Sequence, residues 1–452
     1  VVRVALRATA TVSSALAAAA SVGIVWTFPP LLSFTAAAAT TVLVMGGTGD
    51  PLSTPPDTID FVQDYTSAAV NNFVSPASTA GVGVPGGPYN TVAVITPEES
   101  TDILHSIAEG LDSLDSCIGS ATCDYNENIG SAAPNPADSF VVFGYSQSAA
   151  IAMLEKRNLA AEYAVGEGPD VTFVVIGNAR PNGGLVARDV GGVFNQLVLG
   201  VSRDQLVTDP APTDTQYATV DIALQYDLFA DAPLNPLNLL AVLNAYMGML
   251  ELHPNYADYS LSGSGVVDQG QYGDTHYYLI SAPVLPLLMP MQKLGLAGAI
   301  AADVLDPVMR VIIETAYDRG ASPGVPTPWN LLYGEDPLTV ARDLLVALPT
   351  GWDNGFQDLT GVRPFGTQRP GAYGVGGPDV ETLGPETDSA ASATPTVASS
   401  TRTSGVAKSR RAISSTASAT GGGKPAESRA SSTRKSSTSS AHRGTGSSKR
   451  AS

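Results

Sequence analysis

Runs dominated by apolar and β-branched residues recur along this chain: Thr41–Met45, Val92–Ile95, Phe140–Phe143, Val171–Ile176, Val220–Tyr226 and Tyr277–Ile280. Short runs of this kind, bounded by Gly, Pro, Asn and Asp, predict buried strands. Between them the apolar spacing turns helical. Leu104, Ile107, Leu111 and Leu114 make one stripe, and Pro236–Leu252 is apolar with a helical period. Ahead of the first stripe, Thr96-Pro97-Glu98-Glu99 has the form of a helix start, with a Thr N-cap, Pro in the first turn and an acid close behind. Strands alternating with helices predict an α/β fold, a mainly parallel sheet with helices on both faces. Leu279–Leu305 is apolar again but broken by Pro283, Pro286 and Pro290. It is too interrupted for a membrane span and reads as core, or as lid-like elements around a lipid-sized cleft.

The two ends depart from this pattern. Residues 1–40 hold Arg3 and Arg7 and then no charge before Asp50, and Ala8–Phe28 is apolar. A basic flank, an apolar run and a small-residue stretch predict a signal peptide or membrane anchor. Residues 41–370 form the expected α/β domain. From 371 to 452 Ser, Thr, Ala, Gly, Lys and Arg dominate, which predicts a disordered basic tail. Charge divides the same way. Ser389–Ser452 holds eleven Lys and Arg against Glu427, a charge of +10, which leaves −28 of the total −18 on the first 388 residues. So acidic a body argues against nucleic acid as a partner, while the tail could meet anionic cell-envelope polymers. The two cysteines, Cys117 and Cys123, are too few for a zinc site and close enough for a disulfide around a short loop, as suits an exported protein.

Chemistry concentrates at Ser139–Lys156. Phe140–Phe143 reads as a strand, Gly144-Tyr145-Ser146-Gln147-Ser148 as a sharp turn, and Ala149–Leu154 as a helix. Strand, Gly-x-Ser-x-small, helix is the pattern of a nucleophile elbow, which lifts Ser146 above the sheet edge. The first N–H groups of the helix, Gln147 foremost, then face the oxygen on which charge develops in acyl transfer. A second donor is expected from the glycine-rich turn after the first strand, at Gly47 and Thr48. That turn lacks the Gly-Lys-Ser/Thr of a phosphate loop and the glycine spacing of a dinucleotide site, so no cofactor is expected.

A nucleophilic serine needs a base, and the base needs an acid. Of the four histidines, His105 precedes the serine and falls off its helix stripe, and His442 lies in the tail. His253, which follows a helix and opens a loop, is preferred, with His276 at the head of a strand as the rival. Asp227 closes the strand Val220–Tyr226 at the sheet edge where the elbow emerges, and Asp231 is its rival.

The same residues carry a family resemblance. Met45-Gly46-Gly47-Thr48-Gly49, Thr96-Pro97-Glu98, Gly144 to Ala149, Arg180-Pro181-Asn182-Gly183-Gly184, the Tyr226-Asp227 segment, His253 with Tyr256, Tyr277 to Ile280, Leu285 to Leu288 and Tyr317-Asp318-Arg319 follow in order. Together they resemble the PE-PPE domain of mycobacteria and their relatives, a cutinase-like serine α/β-hydrolase, over roughly Thr41–Pro328. The resemblance implies an esterase or lipase acting on acyl esters or lipids outside the cytoplasmic membrane, secreted or associated with the cell envelope. It equally implies acyl transfer onto envelope glycolipids, or a non-catalytic lipid-binding protein on the same fold. By position it implies Ser146, Asp227 and His253 as the catalytic set. The apolar segment before Thr41 stands where the helical PE or PPE module would be expected.

Overall fold

The computed structural model describes residues 40–383, apart from 120–121, 190–191, 194–195, 197–209 and 381. The expected signal or anchor segment and nearly all of the expected tail lie outside the described residues. In chain order the elements are β1 (Thr40–Val44), α1 (Ile59–Ala69), α2 (Ser75–Thr79), β2 (Tyr89–Ala93), α3 (Ile103–Gly119), β3 (Ser139–Tyr145), α4 (Gln147–Glu162) and β4 (Val171–Ile176). They continue with α5 (Leu185–Arg188), β5 (Thr219–Leu224), α6 (Leu239–Glu251), β6 (Val266–Tyr272), β7 (Thr275–Ile280), α7 (Met289–Gln292), α8 (Leu296–Glu314), α9 (Pro337–Thr360) and β8 (Thr382–Leu383). The strands form one sheet in the order β2-β1-β3-β4-β5-β7-β6-β8. The first six run parallel, and β6 and β8 add an antiparallel margin.

Alternation along the strands builds two cores. Val42, Val44, Val141, Phe143, Val174 and Ile222 face one side, where Val62 and Phe73 from the α1–α2 region and Ala302 and Ile313 from α8 cover them. Leu43, Phe140, Val142, Phe173 and Val175 face the other, under Ile107 and Leu114 of α3 and Ile151 of α4. A strand with both faces covered reads as a continuous apolar run, which is why the central strands are legible and why their sheet is parallel. This is the α/β-hydrolase arrangement, with helices on both faces. Two buried cations inside it are paired: Arg180 Nε lies 2.6 Å from Asp221 Oδ1 and Lys156 Nζ lies 2.6 Å from Asp274 Oδ1.

Three local expectations change. Thr96–Glu99 does not open a helix; α3 begins at Ile103, and Glu98 sits at φ 49° in the left-handed region. Buried bonds to neighbouring loops outweigh the local capping pattern there. The strand expected at Val220–Tyr226 ends at Leu224, so Gln225 and Tyr226 lead into Asp227. Order also continues past Pro370: Tyr373 is buried, and Thr382 and Leu383 pair with Val267 and Val266. Cys117 and Cys123 form the expected disulfide. No helix among the described residues is long and apolar enough to cross a membrane.

Candidate active site

β3 runs straight into α4 with a single residue between them, Ser146. The chain can reverse so sharply only by straining that residue, which has φ 56° and ψ −111°. Its neighbours are shaped to allow it. A Cβ on Gly144 would stand 2.6 Å from the Ser148 carbonyl oxygen, so the first position admits nothing larger than glycine. Ser148, fully buried, does more than stay small. Its Oγ accepts from the Tyr145 N–H at 2.9 Å and donates to the Tyr145 carbonyl at 3.1 Å, tying the two sides of the turn together.

The loops after β5 and α6 meet this turn. His253 Nε2 lies 2.8 Å from Ser146 Oγ, and His253 Nδ1 lies 2.7 Å from Asp227 Oδ2. Asp227 is fully buried, and Phe229 N–H donates to its Oδ1 at 3.1 Å. Tyr256 Oη donates to Asp227 Oδ2 at 2.9 Å and accepts the Leu224 N–H at 3.0 Å. Burial, first, and the Asp227 charge hold the Tyr256 phenol far above its ordinary range, so it stays a proton donor to the carboxylate. The imidazole is held by packing as well. Phe229 packs against it at a tilt, 4.6 Å between ring centres, and Tyr145 donates its hydroxyl to the His253 carbonyl. A Cβ on Gly177, at φ 60°, would come within 3.0 Å of His253 Cε1, so the loop after β4 closes on the ring. A hydroxyl, an imidazole and a buried carboxylate in this order can pass the serine proton to the ring and stabilise the imidazolium.

The rival residues lie elsewhere. Asp231 accepts the Tyr226 N–H and an Arg319 N–H, each at 2.8 Å, and so fixes the turn that carries Asp227. His276 bonds Asp268 at 2.7 Å and stacks on Tyr278 along the β6–β7 hairpin. His105 is exposed and pairs with Glu109. The expected oxyanion donors border the site. Gln147 heads α4, where the first-turn N–H groups have no helical acceptor. Gly47 packs its backbone against the Tyr145 ring, where a Cβ would stand 2.6 Å away. A cleft of about 170 Å³ opens over Ser146 and Gln147, walled by Thr48, Ile103, Ile107, Ala150, Val186 and Phe229. No cluster of potential metal ligands occurs among the described residues.

Sequence reasoning gave Ser148 only a size and passed over Phe229. It placed Tyr256 in a motif without a role. The three-residue spacing from His253 was the available signal, because it returns the tyrosine to the same side of a helical turn.

The PE-PPE domain matches residues 75–318. PE family protein PE3 of Mycobacterium tuberculosis is 34% identical over 326 residues, 70% of this chain and 62% of that one. Esterase PE16 of the same species is 33% identical over 324 residues, covering 68% and 54%. Diacyltrehalose acyltransferase Chp2, also of that species, is 26% identical over 261 residues, covering 55% and 68%. The chain thus spans a little over half the length of the first two. A match over more than half of the chain, on the same elements that carry the elbow and the residues around it, makes this protein a member of the PE-PPE domain family.

Proposed function

We propose that this protein is a serine esterase or lipase that cleaves carboxylic esters through an acyl-enzyme on Ser146. The observation that carries the reading is the unbroken hydrogen-bond chain from Ser146 Oγ through both nitrogens of His253 to Asp227, set on an elbow. In this mechanism Ser146 Oγ attacks the ester carbonyl while His253 Nε2 takes its proton. Asp227 holds the Nδ1–H and stabilises the imidazolium. The carbonyl oxygen, now carrying charge, meets the Gln147 N–H and a donor from the Gly47–Thr48 turn. His253 then hands its proton to the leaving alkoxide. Water, activated by the same imidazole, releases the acid. The apolar walls of the cleft favour an acyl chain over a charged substrate.

A second reading keeps the acyl-enzyme and replaces water by a sugar or lipid hydroxyl; similarity to an acyltransferase favours it. The disulfide agrees with a place outside the cytoplasm, secreted or at the cell envelope. An active-site-directed fluorophosphonate should label the wild type and leave Ser146→Ala unlabelled, with ester cleavage lost by on the order of 10⁴ or more. Equal labelling of the two would remove Ser146 from the mechanism. Products formed with water and a glycolipid acceptor together separate hydrolysis from transfer.

A further inference from the structure

Glu98 lies beside the elbow and takes no part in the hydrogen-bond chain from Ser146 to Asp227. It is buried, and for a residue with a side chain its backbone is strained, at φ 49°. Three bonds hold it there. Its carbonyl accepts the Gly49 N–H at 2.8 Å, from the glycine turn after β1. Its Oε2 accepts from the Gln147 side-chain amide at 2.8 Å, at the head of α4. Its Oε1 is 2.9 Å from Thr96 Oγ1. One residue therefore ties together the two backbone segments that supply the oxyanion donors in the mechanism above. We infer that Glu98 is the positioning residue of the oxyanion pocket, clamping the turn after β1 to the head of α4, and that it does so as the neutral acid.

The inference rests on the acyl-enzyme reading and adds a protonation state to it. A carboxylate at this place would set a second negative charge near the oxygen that gains charge in the transition state. In the structure the Thr96 hydroxyl donates to Oε1 and the Gln147 amide to Oε2; in the neutral acid the Gln147 bond is kept and the Thr96 bond reverses, Oε1–H donating to Thr96 Oγ1. The surroundings agree. Burial lifts Glu98 from the usual carboxylate range to about 8, the bonds from Thr96 and Gln147 oppose this in part, and Asp50 adds to the rise. The titratable groups that face it are Asp50 from the turn after β1 and Tyr65 from α1. Asp50 is itself pushed up, by burial and then by Asp57, and burial pushes the Tyr65 phenol far up. From α4 the neighbour is the uncharged Gln147, whose amide also reaches Ser106 of α3.

The test is steady-state hydrolysis of a soluble short-chain p-nitrophenyl ester from pH 6 to 10 by the full chain and two variants. At pH 7, Glu98→Ala should lose tenfold or more in kcat with KM nearly unchanged, since a displaced donor weakens only the transition state. Glu98→Gln, neutral and of the same shape, should restore most of that loss. The wild type should lose kcat on an alkaline limb near pH 8, and Glu98→Gln should lack that limb. A Glu98→Gln profile with the wild-type limb, or a Glu98→Ala variant with wild-type kcat, overturns the inference. If Glu98→Ala does not fold, the alkaline limb of Glu98→Gln still decides. Fluorophosphonate labelling of Ser146 in the wild type keeps the two failures apart: without labelling the acyl-enzyme reading itself falls, and with it only the role of Glu98 is in question.

Discussion

Each ring nitrogen of His253 has its own partner, Ser146 on one side and Asp227 on the other, whereas His276 shares its Nε2 with Asp268 near the sheet margin. The two histidines should therefore separate cleanly on substitution. His253→Ala should lose nearly as much ester cleavage as Ser146→Ala, on the order of 10⁴, and combining the two should add little, because they act as one unit. His276→Ala should stay within about threefold of wild type, as for a substitution away from the chemistry. Steady-state kinetics of the four variants beside the wild type checks this, and an inactive His276→Ala beside an active His253→Ala would reverse the assignment. Elimination among four histidines left two in the sequence, His253 and His276, and only the place of His253 after a helix and at the head of a loop preferred it. Its supports were not legible. The Phe229 ring reaches His253 and the Tyr256 hydroxyl reaches Asp227 across more than twenty residues of chain, and the three-residue step from His253 to Tyr256 marks a shared side without naming that partner.

The elbow is an element whose backbone leaves no slack. In Gly144→Ala the new methyl would meet backbone atoms of Ser148 and Ala149, at 2.6 and 2.9 Å, and a backbone cannot swing aside as a side-chain tip does. The expected cost is about 1–3 kcal/mol of stability, as for overpacking elsewhere, with a loss of activity beyond that because Ser146 moves. Chemical denaturation together with kcat at a temperature where the variant is folded measures both. A Gly144→Ala protein with wild-type kcat would show that the turn can relax. Strands of the parallel sheet could be read from the chain because both faces are buried, so polarity alone marks them. β6 could not. Val266-Val267-Asp268-Gln269-Gly270-Gln271-Tyr272 begins with two buried residues and then turns half-exposed along an antiparallel margin, with a bulge between Asp268 and Gln271. Thr96–Glu99 misled for the opposite reason: a good capping sequence was recruited into buried bonds with the elbow.

Taken as a whole, the molecule carries protons that its unfolded chain would release. Burial lifts Glu98 to about 8, and lifts Glu155 to about 7 with help from Asp115 and Glu162. Asp303 rises to about 7 through burial and the neighbouring Asp358. For a carboxyl raised in the folded state, the stabilisation is complete below the unfolded value and is lost as pH rises through the folded one. Melting temperature should therefore fall between pH 5 and pH 8.5 at constant ionic strength. Scanning calorimetry at the two values checks the sign, and a higher melting temperature at pH 8.5 would contradict it. The sheet order has a consequence of another kind. β1 ends at Val44 yet pairs along its length with β3, which begins at Ser139, and such distant partners make assembly slow. Ser146, Asp227 and His253 arrive on three separate stretches of chain, and the turn bearing Asp227 is fixed by Arg319, which follows α8. A fragment that ends before Arg319 lacks the bond to Asp231 that fixes this turn. During refolding, helix content would return with the local segments, while the proposed ester cleavage would mark the moment at which the last of these distant contacts forms.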